Sequence, residues 1–344
     1  MYKYFLIMES VDYIESELRN TQNFETQKQI KKEKFKIVNQ VGLIYAMGIA
    51  ILSQIGQIYS KIFRNLFPNF VKHYYADSTL LATLIVNHIL GTPLMIILTK
   101  FIKKTEIQKQ SYGYKKYLAN LCINSGLLIF GSLIGYLLQF SFISTFQKEA
   151  KETQYELSNL SSFKNSNIFL NFFVTCFTAP IAEELVFRKL LIDRLSIFNK
   201  TLAIFASGII FGISHINIHQ FFGTLLLGWS LAYSYVETGN ILIPISYHMF
   251  ENSITTITQI FNPYQSNKKE VTIREKMIIV LLSMRLIEGL TGIILLLIYR
   301  KKIKVRGEEN RSKDKWKLFK SYGMWIFIFE GFILFSIFYM NVFF

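Results

Sequence analysis

The residues best equipped for chemistry in this chain are carboxylates, imidazoles and a carboxamide that lie inside apolar stretches. They are Glu183, Glu184, Arg188, His215, His248 and Asn252. A charge at the centre of a bilayer costs about 2.5–3.5 kcal/mol on insertion scales, so such residues usually have a function. A carboxylate that accepts a proton, together with donors that bind a developing oxyanion, can hydrolyse an acyl bond. The sequence therefore predicts an intramembrane hydrolytic site.

The two adjacent glutamates are predicted to have different roles. On a helix, Glu184 and Arg188 are four residues apart and can form an ion pair on one face. Glu183 points about 100° away from its neighbour, which suits a proton acceptor directed at a different helix. The alternative is a plain charge cluster at a cytoplasmic helix end, because Lys189, Asp193 and Arg194 follow.

Two later stretches add groups at the same helical spacing. His248 and Asn252 are four residues apart, as are Phe211 and His215. Pro244, one turn before His248, opens the helix locally. A lone histidine in a membrane helix is more often a structural hydrogen-bonding group than a catalyst. Three separate stretches that each present such groups favour a functional site.

The composition is that of a polytopic membrane protein. Of 344 residues, 51% are hydrophobic and only 18% are charged, and the charges cluster between apolar runs. The net charge of +15 is explained by orientation signals and anionic lipid headgroups rather than by nucleic acid, for which no motif is present. Cys122 and Cys176 both lie in apolar runs, so a disulfide is not expected. No cleavable signal peptide is evident, and the first span is expected to direct insertion.

Nine apolar segments approach the length of a spanning helix, about 20 residues. They are 37–60, 78–99, 119–143, 167–193, 201–217, 220–236, 241–261, 277–299 and 322–343. The expected fold is all-α, a transmembrane bundle of about nine helices with a catalytic core of helices four to seven. Connections that would face the cytoplasm carry more Lys and Arg if the N-terminus is inside, so a multi-pass cell-membrane protein with a cytoplasmic N-terminus is predicted. The predicted divisions are a polar segment, 1–35; N-terminal helices, 36–164; a catalytic core, 165–256; and C-terminal helices, 257–344.

Three motifs resemble those of the CPBP family, which unites type II CAAX prenyl endopeptidases with bacteriocin-processing proteins. The stretch from Glu183 to Arg188 resembles its EExxxR motif, Phe211 to His215 its FxxxH motif, and His248 to Asn252 its HxxxN motif. Each motif alone is weak, but the three in order within consecutive apolar helices are a strong signal. The resemblance covers about residues 165–256 and does not extend to the flanking helices.

The resemblance implies a membrane-embedded endopeptidase in which glutamate and histidine activate water. Carried over by position, Glu183 is the general base assisted by His215, and His248 and Asn252 bind the oxyanion, with Glu184 and Arg188 in support. No cofactor is favoured, although a divalent metal such as zinc on Glu183, His215 and His248 is the competing arrangement. His215 and His219 have metal-ligand spacing, but HExxH is absent and the turn near 218 argues against a continuous helix.

The expected partners are the lipid bilayer and a peptide or membrane-protein substrate, in bacteriocin processing, signal-peptide processing or self-immunity. The alternatives are a non-catalytic immunity or scaffold protein of the same fold and a transporter, for which no inverted repeat is visible. Other polar groups at predicted membrane depth have no assigned role in the site. They are Asn87, His88, Glu251, Arg285, Glu288 and Glu330, among which Arg285 and Glu288 are expected to form a structural pair.

Overall fold

A computed structural model describes residues 2–146, 166–197, 199–261, 273–301, 303, 305 and 320–343. The predicted all-α class is confirmed, since these residues form helices and no strand. Ten helices lie within this described part of the chain: α1, Tyr2–Leu66; α2, Pro68–His73; α3, Tyr75–Thr99; α4, Tyr114–Phe146; α5, Ile168–Leu195; α6, Lys200–Ser214; α7, Ile218–Thr238; α8, Leu242–Phe261; α9, Ile273–Tyr299; and α10, Tyr322–Phe343.

Each of the nine predicted segments coincides with a helix, but the helices differ in how well they suit a bilayer. Within the described residues, five are long and apolar enough to cross one: Phe24–Leu66, Tyr75–Thr99, Tyr114–Ser141, Ile168–Leu195 and Lys276–Tyr299. The chain is thus a multi-pass membrane protein. Helix α6 has only 15 residues, about 22 Å at 1.5 Å per residue, and α7 and α8 carry many polar residues. The count of nine spans therefore stays a prediction.

The polar lead-in predicted for residues 1–35 is continuous with the first apolar segment. Helix α1 begins at Tyr2 and continues to Leu66. The described part of the lead-in, from Tyr2 onward, contains neither Gly nor Pro, the two residues that most strongly interrupt a helix. The helix therefore continues from the polar part into the apolar part, because no helix-ending residue separates them.

The main core forms where α5, α6 and α7 meet, with α1 and α10 closing its sides. Its fully buried members include Val41, Tyr45, Leu191, Ile192, Ala203, Ala206, Ile210, Ala232, Tyr235 and Phe327. Small residues on α6 allow close approach of α7, and the edge of Trp229 lies directly over Gly208. This core holds the second half of α5, and therefore the glutamates, against rigid neighbours.

Three stretches of π-helix lie in the two helices that approach the site. They are Thr83–Gly91 in α3, and Phe172–Thr178 and Leu185–Leu190 in α5. In the first stretch of α5 the Ala179 N–H donates to the Val174 carbonyl, five residues earlier. Such wide turns are rare in proteins overall, and those that occur are often found at functional sites. They rotate the glutamates relative to the positions that a uniform α-helix would give.

Helices α4 and α9 cross at a point where only glycine fits. A Cβ added to Gly292 would overlap the backbone of Cys122. We expect Gly292→Ala to lower stability by about 1–3 kcal/mol, because the two backbones would have to separate. Gly113→Ala is the control, since nothing lies within 4 Å of its added Cβ. Thermal unfolding in detergent should show a loss for the first variant only, and equal midpoints would contradict this packing.

Candidate active site

The expected ion pair between Glu184 and Arg188 is present and entirely buried. Glu184 Oε2 lies 2.9 Å from Arg188 Nε, and both side chains are fully excluded from solvent. Arg188 Nη1 also donates to Ser207 Oγ on α6 at 3.2 Å, and its guanidinium lies 4.8 Å from the ring centroid of Phe211. The pair therefore anchors α5 to α6 through one cation with three partners.

His248 on α8 meets both glutamates of α5. Its Nδ1 lies 3.0 Å from Glu184 Oε1, and its Nε2 lies 3.8 Å from Glu183 Oε2. His248 is buried, whereas the side chain of Glu183 is 27% exposed. Glu184 is thus buried and paired on both sides, whereas Glu183 is partly exposed. The two carboxylates lie in different environments, and their separate roles stay predictions.

His215 is the residue that follows the last turn of α6. Its Nδ1 lies 2.8 Å from the carbonyl oxygen of Phe211. The next residue, Ile216, has φ of 49°, a left-handed conformation that is strained for a β-branched side chain. This turn ends α6 at Ser214 and begins α7 at Ile218. Backbone strain of this kind, here at the residue after His215, recurs at functional sites.

The ring of Phe211 joins the two imidazoles into one site. It packs edge-on against His215 at a centroid distance of 4.8 Å and against His248 at 5.7 Å. The FxxxH spacing places Phe211 and His215 on the same face, so the phenylalanine separates the two rings without hydrogen bonding to either side chain. The ring thus lies between an imidazole of α6 and one of α8, and the second of these, His248, lies 3.8 Å from Glu183. That His215 acts together with Glu183 stays a prediction.

Hydrogen-bond partners define which nitrogen of each imidazole carries the proton. The Nδ1 of His215 faces a carbonyl, and the Nδ1 of His248 faces a carboxylate already paired with Arg188. Both partners are acceptors, so both Nδ1 atoms must be donors. In the singly protonated form each ring therefore presents Nε2 as an acceptor. His248 donates through Nε2 only when both of its nitrogens are protonated.

Asn252 lies one turn beyond His248 and also contacts α5. Its Nδ2 donates to the carbonyl oxygen of Thr175 at 2.8 Å. The resemblance implies that this carboxamide binds the substrate oxyanion, and nothing in the sequence indicates the backbone partner. Because a carboxamide nitrogen has two hydrogens, this bond takes one and leaves one for a substrate.

His88 of α3 contacts the helix that carries the glutamates, and the sequence assigns it no role. Its Nδ1 lies 2.9 Å from Thr178 Oγ1, and that hydroxyl donates to the Val174 carbonyl at 3.1 Å. The hydroxyl must therefore accept from His88, which again leaves Nε2 as an acceptor. The available signal was a histidine within the apolar segment 78–99.

A second buried polar cluster lies beside the site and is structural in its contacts. The expected pair of Arg285 and Glu288 is present at 3.2 Å, and Arg285 also pairs with Glu251 of α8. Ser125 of α4 donates to Glu251 Oε1 at 2.7 Å and lies 2.9 Å from Glu288 Oε1. The cluster connects α4, α8 and α9, and so supports the helix that carries His248 and Asn252.

The donors for a metal ion are poorly grouped. No set of three or more His, Cys, Asp or Glu side chains is arranged to hold a metal within the described residues. His215 follows the end of α6 and His219 lies in α7, so no continuous helix joins them, and the side chain of His219 lies outside the described residues. Cys176 is buried and lies 3.5 Å from Thr256 Oγ1, which fits a packed side chain rather than a nucleophile.

Comparison with known proteins finds a similarity over the segment that carries the three motifs. Residues 165–254 match the family model described as type II CAAX prenyl endopeptidase Rce1-like. This match confirms the resemblance to type II CAAX prenyl endopeptidases over the stretch that carries all three motifs. No solved structure matches the chain significantly.

Two bacterial relatives have informative names. "Putative membrane peptidase YdiL" of Bacillus subtilis (strain 168) is 33% identical over 90 residues, which are 25% of this chain and 36% of the relative. "Membrane-embedded CAAX protease MroQ" of Staphylococcus aureus (strain USA300) is 27% identical over 187 residues, which are 51% of this chain and 72% of the relative. An uncharacterized protein of Mycoplasma capricolum is 28% identical over 186 residues, half of both chains. The match to YdiL thus spans about a third of that relative.

Proposed function

We propose that this chain, similar over residues 165–254 to type II CAAX prenyl endopeptidases, is an intramembrane endopeptidase. Its substrate is a peptide or a membrane-associated protein, cut near the cytoplasmic leaflet. The observation that carries the proposal is the position of His248, whose two ring nitrogens face Glu184 at 3.0 Å and Glu183 at 3.8 Å. Two carboxylates in different environments around one imidazole supply both an anchored support and an accessible base.

The reaction begins with water held between Glu183 and the Nε2 of His215. Glu183 takes a proton from the water, and the water oxygen bonds to the carbonyl carbon of the scissile peptide bond. The carbonyl oxygen becomes an oxyanion that accepts from His248 Nε2, in its doubly protonated form, and from the second N–H of Asn252. The C–N bond then breaks, and the proton on Glu183 passes to the leaving amine. Glu184, which is paired with Arg188, accepts from His248 Nδ1 and so fixes the orientation of the imidazole.

Cleavage by the purified chain tests this function. The chain in lipid nanodiscs would be incubated with a proteome-derived peptide mixture, and new termini would be identified by mass spectrometry. We expect discrete cleavage sites that disappear in His215→Ala, since that variant lacks the imidazole that orients the water. Identical products from both proteins would show that a contaminating protease made them.

A metal-free reaction is part of the proposal, because the chemistry assigned to Glu183, His215 and His248 needs none. We expect purified, active protein to contain much less than one equivalent of zinc by elemental analysis. Treatment with 1,10-phenanthroline should leave the cleavage rate within about twofold of the untreated rate. Stoichiometric zinc that is lost together with activity would overturn this part of the proposal.

A non-catalytic immunity or scaffold protein of the same fold is the second candidate. It is favoured by the extent of the structural contacts at the site, where Glu184 and Arg188 are fully buried and Asn252 bonds a backbone carbonyl. A cellular immunity assay separates the two. Protection that persists in both Glu183→Gln and His215→Ala would support the binding protein, whereas its loss in both would support processing of a bacteriocin or signal peptide.

A further inference from the structure

One backbone carbonyl of α5 has lost its normal partner to a proline. Through the stretch Phe172–Thr178 the helix is wide, and Ala179 N–H donates to Val174 O. In this register the next donor, residue 180, would bond the carbonyl of Thr175. Residue 180 is proline, which has no N–H. The Thr175 carbonyl is therefore left without its helical partner, about two turns into an apolar helix.

Asn252 of α8 occupies the place of the missing donor. Its Nδ2 lies 2.8 Å from Thr175 O. The oxygen of the carboxamide would face the carbonyl oxygen unfavourably, so the nitrogen must be the atom that points there. We propose that Asn252 is a positioning residue that supplies to α5 the hydrogen bond that Pro180 cannot make, and so fixes α8 against the helix of the glutamates.

The bond from Asn252 is the middle one of three contacts between α8 and α5, made by His248, Asn252 and Thr256, which we call the clamp. His248, Asn252 and Thr256 follow one another at every fourth residue of α8 and lie on one face. His248 bonds Glu184, Asn252 bonds Thr175 O, and Thr256 Oγ1 lies 3.1 Å from Thr175 Oγ1. The middle contact alone depends on the proline. A wide turn, a proline and an asparagine on another helix thus act as one unit that places His248 opposite Glu183.

This role is separate from the oxyanion contact in the proposed function, since the two use different hydrogens of the carboxamide. The clamp is present in the folded chain before any substrate binds. Its loss should therefore be measurable as stability without a substrate, and its effect on cleavage should be reversible by restoring a backbone donor at position 180.

A double-mutant cycle on the full chain in detergent tests the clamp. Asn252→Ala should lower the thermal midpoint by roughly 3–10 °C, because a buried carbonyl is left unsatisfied. In a Pro180→Ala background the new N–H can bond Thr175 O, so the same substitution should cost less than half as much. Pro180→Ser supplies the same donor and replaces the alanine variant if that variant does not fold. An equal loss in both backgrounds would overturn the proposal.

Two matched variants exclude general effects. Pro93→Ala removes a proline from α3, whereas the Asn252 carboxamide bonds a carbonyl of α5. This change should not reduce the cost of Asn252→Ala, and a rescue equal to that by Pro180→Ala would contradict the clamp. Thr256→Val removes a neighbouring contact and should cost the same with or without Pro180. If the natural chain cleaves no peptide, the proposed function fails, but the cycle still decides the clamp.

Discussion

Glu183→Gln is expected to reduce the cleavage rate by about 10²–10⁴-fold, the range for loss of a general base. The amide keeps the size and shape of the side chain but cannot take a proton from water. The loss should fall on kcat with KM little changed, since the proposed role of Glu183 is in proton transfer rather than binding. Initial rates on a peptide that the natural chain cleaves would measure it.

The same substitution should leave the fold intact, which separates chemistry from stability. Glu183 is 27% exposed, and the Glu183–His248 distance of 3.8 Å is long for a hydrogen bond. The unfolding midpoint of Glu183→Gln should therefore stay within about 2 °C of the natural chain. Glu106→Gln serves as a control for preparation, because its side chain is 73% exposed and its pair with Lys104 lies at the surface. A clearly lower unfolding midpoint for Glu183→Gln would contradict a purely chemical role, because the loss of cleavage could then result from unfolding.

Arg188→Met is expected to cause the largest loss of stability, about 3–5 kcal/mol, the cost of breaking a buried ion pair from one side. Methionine approximates the length of the stem, but Glu184 then keeps a buried charge with only His248 as partner. The contacts of Arg188 with Ser207 and Phe211 are lost as well. Unfolding by SDS titration in mixed micelles would measure the difference.

Two comparisons identify the cause of that loss. Lys28→Met breaks an exposed pair with Glu25, whose side chains are 68% and 56% exposed, and should change stability by no more than about 1 kcal/mol. Replacement of both buried partners, Glu184→Leu with Arg188→Leu, should cost less than Arg188→Met alone, because no uncompensated charge remains. A double variant as unstable as the single one would assign the loss to packing of the arginine instead.

The local part of the site could be predicted from the sequence because it depends on helical spacing. The Glu184–Arg188 pair and the shared face of Phe211 and His215 follow from residues four apart. The order of the motifs in consecutive apolar segments also predicted that α5, α6 and α8 would meet. The Arg285–Glu288 pair was accessible in the same way, from a spacing of three.

The long-range part could not be predicted, because it depends on how separate helices rotate against one another. The sequence does not indicate that Glu184, rather than Glu183, is the closer partner of His248. No residue pattern distinguishes the wide turns before Pro93 and Pro180 from ordinary apolar helix. The bond from Asn252 to Thr175 therefore could not be predicted. His88 was visible as a polar residue, but its contact with Thr178 results from the packing of α3 on α5.

Hydrolysis in H₂¹⁸O tests the central claim most directly. The natural chain and Glu183→Gln, each in nanodiscs, would be given the same peptide mixture, and the new carboxyl termini would be examined by mass spectrometry. We predict ¹⁸O-labelled termini at discrete sites with the natural chain and their absence with Glu183→Gln. Equal labelled products from both proteins, or none from the folded natural chain while cellular protection persists, would contradict a glutamate-activated water at this site.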